Sequence, residues 1–95
     1  MREERKVVTA LFADLVGSTE LTERLDPEDA RDVIGGAVAA MVDAVERFGG
    51  TIKDLAGDGV LALFGAPVSH EDDAERAVLA GLEIVRAFEV VGVRE

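Results

Sequence analysis

The stretch VVTALFADLVGST, Val7 to Thr19, runs an apolar segment into one Asp, a Gly and two hydroxyl residues. Both alternating faces of its first half, Val8/Ala10/Phe12 and Val7/Leu11/Ala13, are largely hydrophobic, which predicts a strand covered on both sides. The run ends at Asp14. Val16-Gly17-Ser18-Thr19 then reads as a turn presenting backbone N–H groups at the start of a short helix, TELTERL. Ser18 or Thr19 is its expected cap, with Glu20 and Glu23 near the positive end of the dipole. Gly17 lets an anion approach the turn closely.

Outward from this stretch the chain alternates helix and strand signals. Asp26-Pro27-Glu28-Asp29 combines an N-cap, a Pro at the first helical position and first-turn acids. Ile34, Val38, Met41, Val45 and Phe48 follow at helical spacing, and Gly49-Gly50 supplies a residue able to turn left-handed at the C-terminus. Thr51 to Ala56 and Val60 to Phe64 read as two short strands joined at Gly57-Asp58-Gly59, a tight hairpin. Gly65-Ala66-Pro67 breaks the pattern, and Ser69 with Asp72 resembles a capping box opening a helix through about Phe88. Its expected buried stripe is Ala74, Val78, Leu82 and Val85. The tail VVGVRE, 90–95, fits either a helix end or a strand beginning.

This order predicts an α+β fold: a ferredoxin-like β-α-β-β-α(-β) sandwich with an antiparallel sheet and helices on one face, the final strand missing or partial. If the third strand slots between the first two, the end of the first strand and the hairpin tip share one rim, and Asp14 and Asp58 converge. The open edge of the first strand predicts dimerisation, strand exchange or pairing of the tail.

The 95 residues suit one domain, 1–95, with an aliphatic core, since 48% of the chain is apolar and only 4% aromatic. Twenty acids against ten bases give a formal charge of −10. That field opposes nucleic acid and anionic membrane surfaces, and an anionic ligand needs a cation or a cradle of N–H groups to overcome it. There is no Cys, hence no disulfide framework. The N-terminus MREERKVV has neither signal-peptide nor membrane-span character, so no direct membrane insertion and a cytoplasmic location are expected. His70, just before Glu71-Asp72-Asp73, reads as a helix-terminus residue without chemistry.

Two converging carboxylates in so acidic a chain repel one another, and a divalent metal resolves the conflict. Mg²⁺ is usually held by one or two carboxylates, with substrate phosphates and water completing the shell. Taken alone, each acid also fits a plain turn, Asp14 as a cap and Asp58 as an Asp-Gly pair.

The segments FADLVGST at 12–19, GGTIKDLAGDGVLALFGAP at 49–67 and HEDDA at 70–74 together resemble the class III adenylate/guanylate cyclase catalytic domain, in order and spacing. The resemblance runs from Val7 to about Arg86 and corresponds to the N-terminal part of that domain. It implies that Asp14 and Asp58 bind two Mg²⁺ or Mn²⁺ ions, that Leu15 gives its backbone carbonyl to one of them, and that Gly17, Ser18 and Thr19 bind phosphate. The implied substrate is a nucleoside triphosphate, ATP ahead of GTP, and the product a 3′,5′-cyclic nucleotide. Catalysis in such a family occurs between two subunits, one offering metals and the other base recognition. The resemblance also places Asn and Arg contacts to ribose and developing charge beyond Glu95, leaving half an active site here. A base-recognising Lys is expected where this chain has Asp54, with Lys53 one position earlier and so on the opposite strand face unless a bulge intervenes. The alternative implied by that departure is a non-catalytic module for dimerisation or nucleotide sensing within a larger regulator.

Overall fold

A computed structural model describes residues 7–90. The elements run β1 (Thr9–Asp14), α1 (Ser18–Arg24), α2 (Pro27–Arg47), β2 (Thr51–Ala56), β3 (Gly59–Phe64) and α3 (Asp73–Val90). The order matches the sequence expectation, and the tail beyond Val90 lies outside the described residues.

The sheet is antiparallel throughout with order β1-β3-β2. β3 therefore sits between the two outer strands, as the alternation of elements predicts. Thr9 pairs with Phe64 and Asp14 with Gly59, so β1 runs the full length of β3. Helices α2 and α3 cover one face. Val45, Ala62, Phe64, Ala77 and Ala80 form one buried cluster, and Met41, Ala44, Val60 and Ile84 a second. Leu11 and Ile52 pack against both and bridge them.

α2 keeps its sequence grammar. Pro27 occupies the first turn after Asp26, whose side chain makes no capping bond, while its carbonyl accepts from Ala30 N–H at 2.8 Å. At the far end Gly49 has φ +87°, Gly50 N–H donates to Val45 O and Gly49 N–H to Glu46 O. That pair of bonds closes the last turn and requires a residue without a Cβ penalty in the left-handed region.

Three expectations are corrected. β1 is not covered on both sides: Thr9, Leu11 and Ala13 face the helices, while Ala10, Phe12 and Asp14 are exposed, Phe12 to 75%. Both helices lie on one face, and an antiparallel sheet tolerates an uncovered second face. The buried stripe of α3 is Ala77, Ala80 and Ile84, not Ala74, Val78, Leu82 and Val85, which are exposed. Close approach to the sheet selects small side chains; a Cβ on Gly81 would already stand 3.6 Å from Leu11 Cδ1. The larger residues of α3 turn towards β1, where Val78, Leu82 and Val85 wall a groove of about 460 Å³ with Leu11 and Phe12. Finally, the helix entry shifts by one residue: Asp73 Oδ2 accepts from His70 N–H at 2.9 Å, while Ser69 Oγ donates to Gly65 O instead. Among the described residues, no helix is long and apolar enough to cross a membrane.

Candidate active site

The rim of the sheet where β1 ends and the hairpin turns gathers the residues singled out in the sequence. Asp14 closes β1 opposite Gly59, the first residue of β3, so register alone sets it beside Asp58. The chain then leaves the sheet: Leu15 N–H donates to Asp58 O at 3.0 Å, one step beyond the ladder. The Leu15 side chain packs against the cluster of Met41, Ala44, Val60 and Ile84, which anchors the exit from the strand.

Gly17 has φ +85°, and a Cβ there would meet nothing within 4 Å. Its smallness is thus required by backbone conformation, not by crowding. α1 begins at once with Ser18, and Thr19 lies exposed in its first turn. Ser18 is not a cap. Its hydroxyl donates to Asp58 Oδ2 at 2.8 Å, while its carbonyl accepts from Thr22 Oγ1 at 2.7 Å.

Gly59 serves a different purpose from Gly17. It does not adopt the left-handed region, yet a Cβ would overlap the Ala13 carbonyl oxygen and stand 2.8 Å from Asp14 Oδ1. Only glycine lets β1 and its terminal acid close on the hairpin. The sequence expectation that Asp14 and Asp58 share one rim is met by the register, the Leu15–Asp58 backbone bond and the Ser18–Asp58 bond.

The donor set suits a hard cation: an exposed carboxylate at Asp14, a half-buried one at Asp58 and nearby backbone carbonyls. Among the described residues, no group of three His, Cys, Asp or Glu side chains comes together to hold a metal. A cation held at this rim would have to draw further ligands from backbone, water or a bound phosphate, the pattern Mg²⁺ favours.

β2 is irregular beside this rim. Ile52 pairs with Ala62 but Asp54 with Leu61, so Lys53 is an extra residue in a β-bulge. The bulge that the alternation argument made a condition for Lys53 is present. Sequence reasoning did not foresee the Ser18–Asp58 bond, nor the clearance demanded of Gly59; the two glycines flanking Asp58 were the available signal.

Comparison with known proteins agrees with this fold. The model of the adenylate and guanylate cyclase catalytic domain matches residues 1–95, and the chain belongs to that family. It is 44% identical to the crystal structure of the guanylyl cyclase Cya2, TM-score 0.81, covering 92% of this chain and 44% of that one. Against the adenylyl cyclase CyaB from P. aeruginosa the figures are 30% identity and TM-score 0.79, over 97% and 52%. An adenylate cyclase of Rhizobium meliloti is 43% identical over 61 residues, which is 64% of this chain and 16% of that protein. The chain thus spans about half the length of these solved structures and a small part of the curated relative. Both adenylyl and guanylyl cyclases stand among the similar proteins.

Proposed function

We propose that this chain supplies the metal- and triphosphate-binding side of a nucleotide cyclase that converts a nucleoside triphosphate to a 3′,5′-cyclic nucleotide and pyrophosphate. The observation that carries this reading is the convergence of Asp14 and Asp58 at one rim, with Ser18 joining the helix turn to Asp58. Asp14, Asp58 and the Leu15 carbonyl are the residues that would hold two Mg²⁺ or Mn²⁺ ions. When bound, such ions activate a ribose 3′-hydroxyl for in-line attack on the α-phosphorus and neutralise the leaving pyrophosphate.

The chain's own contribution is positional. The Gly17 to Thr19 turn offers backbone N–H groups to phosphate oxygens at the start of α1. Ser18 restrains the Asp58 carboxylate, and the close packing at Gly59 restrains Asp14, so both acids are oriented before a ligand arrives. The exposed outer sheet face, with Phe12 at its centre, suits contact with a second copy, and the solved structures of similar fold include a non-canonical dimeric guanylyl cyclase domain. A homodimer is the assembly proposed, one copy holding metals and phosphates while the other contacts the base.

Nucleotide binding by this chain, measured with and without Mn²⁺ beside Asp14→Ala and Asp58→Ala, tests the reading. Metal-dependent affinity abolished by both substitutions is expected; equal binding by all three proteins ends it. The second reading, a non-catalytic nucleotide-sensing or dimerisation module, is favoured by Asp54 standing where a Lys is expected. Cyclic nucleotide formed by a longer chain that contains these 95 residues separates the two.

A further inference from the structure

The side of α3 turned away from the sheet carries Glu75, Leu79, Leu82 and Arg86 at spacings of four, three and four residues, which keeps them on one line of the helix. All four are exposed, Leu79 to 42% and Leu82 to 49%. The rest of the helix surface is engaged. Ala77, Ala80 and Ile84 are buried in the two core clusters, while Arg76 bonds to the Phe48 carbonyl and Glu83 to Arg47 across to α2. Glu75 and Arg86 have no ion-pair partner among the described residues. They stand eleven residues apart, about 16 Å along the axis, too far to pair with each other in one helix.

We infer that α3 is an interaction surface for a second copy of this chain, the two helices packing antiparallel through this stripe. Its order, acid-Leu-Leu-base, is self-complementary only in that direction. A two-fold axis crossing α3 between residues 80 and 81 sets Glu75 against the partner's Arg86 and Leu79 against the partner's Leu82, and the same two contacts repeat on the other side of the axis. Parallel packing sets Glu75 against the partner's Glu75 and Arg86 against the partner's Arg86, which is repulsive at both ends. The antiparallel contact has four leucines at its centre and an ion pair at each end, the apolar middle and polar rim of an interface. It gives Arg86 a carboxylate in a chain of formal charge −10. Neither the rim of Asp14 and Asp58 nor the outer sheet face around Phe12 takes part, since α3 lies on the opposite face of the sheet from Phe12. The α3 contact is therefore independent of the proposed function and separate from the pairing proposed for the sheet.

Sedimentation equilibrium of the 95-residue chain, without metal or nucleotide and at about 0.15 M salt, tests the pairing. Every protein in the series carries Phe12→Ser, so that the sheet-face contact does not contribute, and circular dichroism checks that these exposed substitutions leave the fold intact. Self-association is expected in that background. Leu82→Glu puts a charge at the centre and should weaken it by about tenfold or more. Glu75→Arg and Arg86→Glu, each alone, bring like charges together at both ends and should each weaken it about tenfold. The double variant Glu75→Arg/Arg86→Glu exchanges the ends and should regain the affinity of the background. That recovery is the result a merely structural role for either residue does not produce. A chain monomeric up to about 1 mM overturns the inference. So does association that the single charge reversals leave unchanged, which places the contact elsewhere, and so does a double variant no stronger than the singles. Metal-dependent nucleotide binding by the same chain reports on the proposed function separately.

Discussion

The Ser18 hydroxyl donates to Asp58 Oδ2 at 2.8 Å, joining residues 40 apart in sequence across the rim of the sheet. The first turn of α1 and the β2–β3 hairpin are thereby one unit, and the backbone proposed to bind phosphate is fixed relative to an acid. Ser18→Ala is expected to cost about 1 kcal/mol of stability, the net worth of a hydrogen bond to a partly buried group. It should also weaken Mn²⁺-dependent nucleotide binding, because Asp58 loses its restraint. Ser18→Thr keeps the hydroxyl and should retain most of both. Thermal unfolding together with binding isotherms decides; a Ser18→Ala chain that matches the native one in both shows the bond to be idle.

Gly59 and Gly57 flank the same acid and are expected to respond differently to alanine. A Cβ on Gly59 meets the Ala13 carbonyl and Asp14 Oδ1, whereas one on Gly57 meets nothing within 4 Å. Gly59→Ala should destabilise by roughly 1–3 kcal/mol as β1 is pushed from the hairpin. Gly57→Ala should stay within about 0.5 kcal/mol of the native chain. Denaturant midpoints for the two variants test the order, and equal midpoints would show that the clearance at Gly59 does not matter.

Metal linkage offers a readout free of turnover. If Asp14 and Asp58 hold a divalent ion in the folded chain and not in the unfolded one, Mn²⁺ at a hundred times its dissociation constant stabilises by about 2.7 kcal/mol. Asp14→Ala should abolish that increment. Calorimetric scans across a Mn²⁺ series measure it, and a midpoint indifferent to Mn²⁺ in the native chain removes the metal from the proposal.

The rim was legible because its signals are local and redundant. An apolar run stopping at Asp14, a Gly in the turn that follows and an Asp between two glycines each mark the backbone by themselves, and element order alone brings them to one edge. What stayed hidden depends on which faces meet. The alternation of β1 is apolar on both sides, so no period in it announces that Phe12 is exposed. In α3 the apolar residues span more than half the helix surface, and only the spacing between helix and sheet decides that alanines go inward. The bulge at Lys53 is likewise a property of strand pairing, invisible in β2 read alone.

That choice of face in α3 can be tested directly. Ala80 is fully buried, and Val78 is 62% exposed. Ala80→Val overfills a packed layer against α2 and β3 and is expected to cost about 1–3 kcal/mol. Val78→Ser removes an exposed side chain and should change stability by no more than about 0.5 kcal/mol. The stripe expected from sequence predicts the reverse ranking. Unfolding curves that place Val78→Ser below Ala80→Val would restore it.

Arg76 ties the start of α3 to the end of α2, since Nε donates to Asp72 Oδ1 at 2.8 Å and Nη1 to the Phe48 carbonyl at 3.2 Å. The cation thereby meets a carbonyl left unpaired at a helix C-terminus. The hydrogen bond from Arg76 holds the Asp72 carboxyl below its ordinary value, outweighing the opposing effect of desolvation. A group whose value is lowered by folding stabilises the folded chain above the ordinary carboxylate range, and that contribution disappears as pH falls through the lowered value. Asp72→Asn should therefore be less stable than the native chain near neutrality, the two converging in acid. The pair is exposed, so the difference is small and shrinks further in salt. Denaturant midpoints followed from about pH 7 to about pH 3, across the carboxylate range, at low and high salt measure it. A gap between the two proteins that does not close in acid would assign the effect of Asn to helix entry, not to the Arg76 pair.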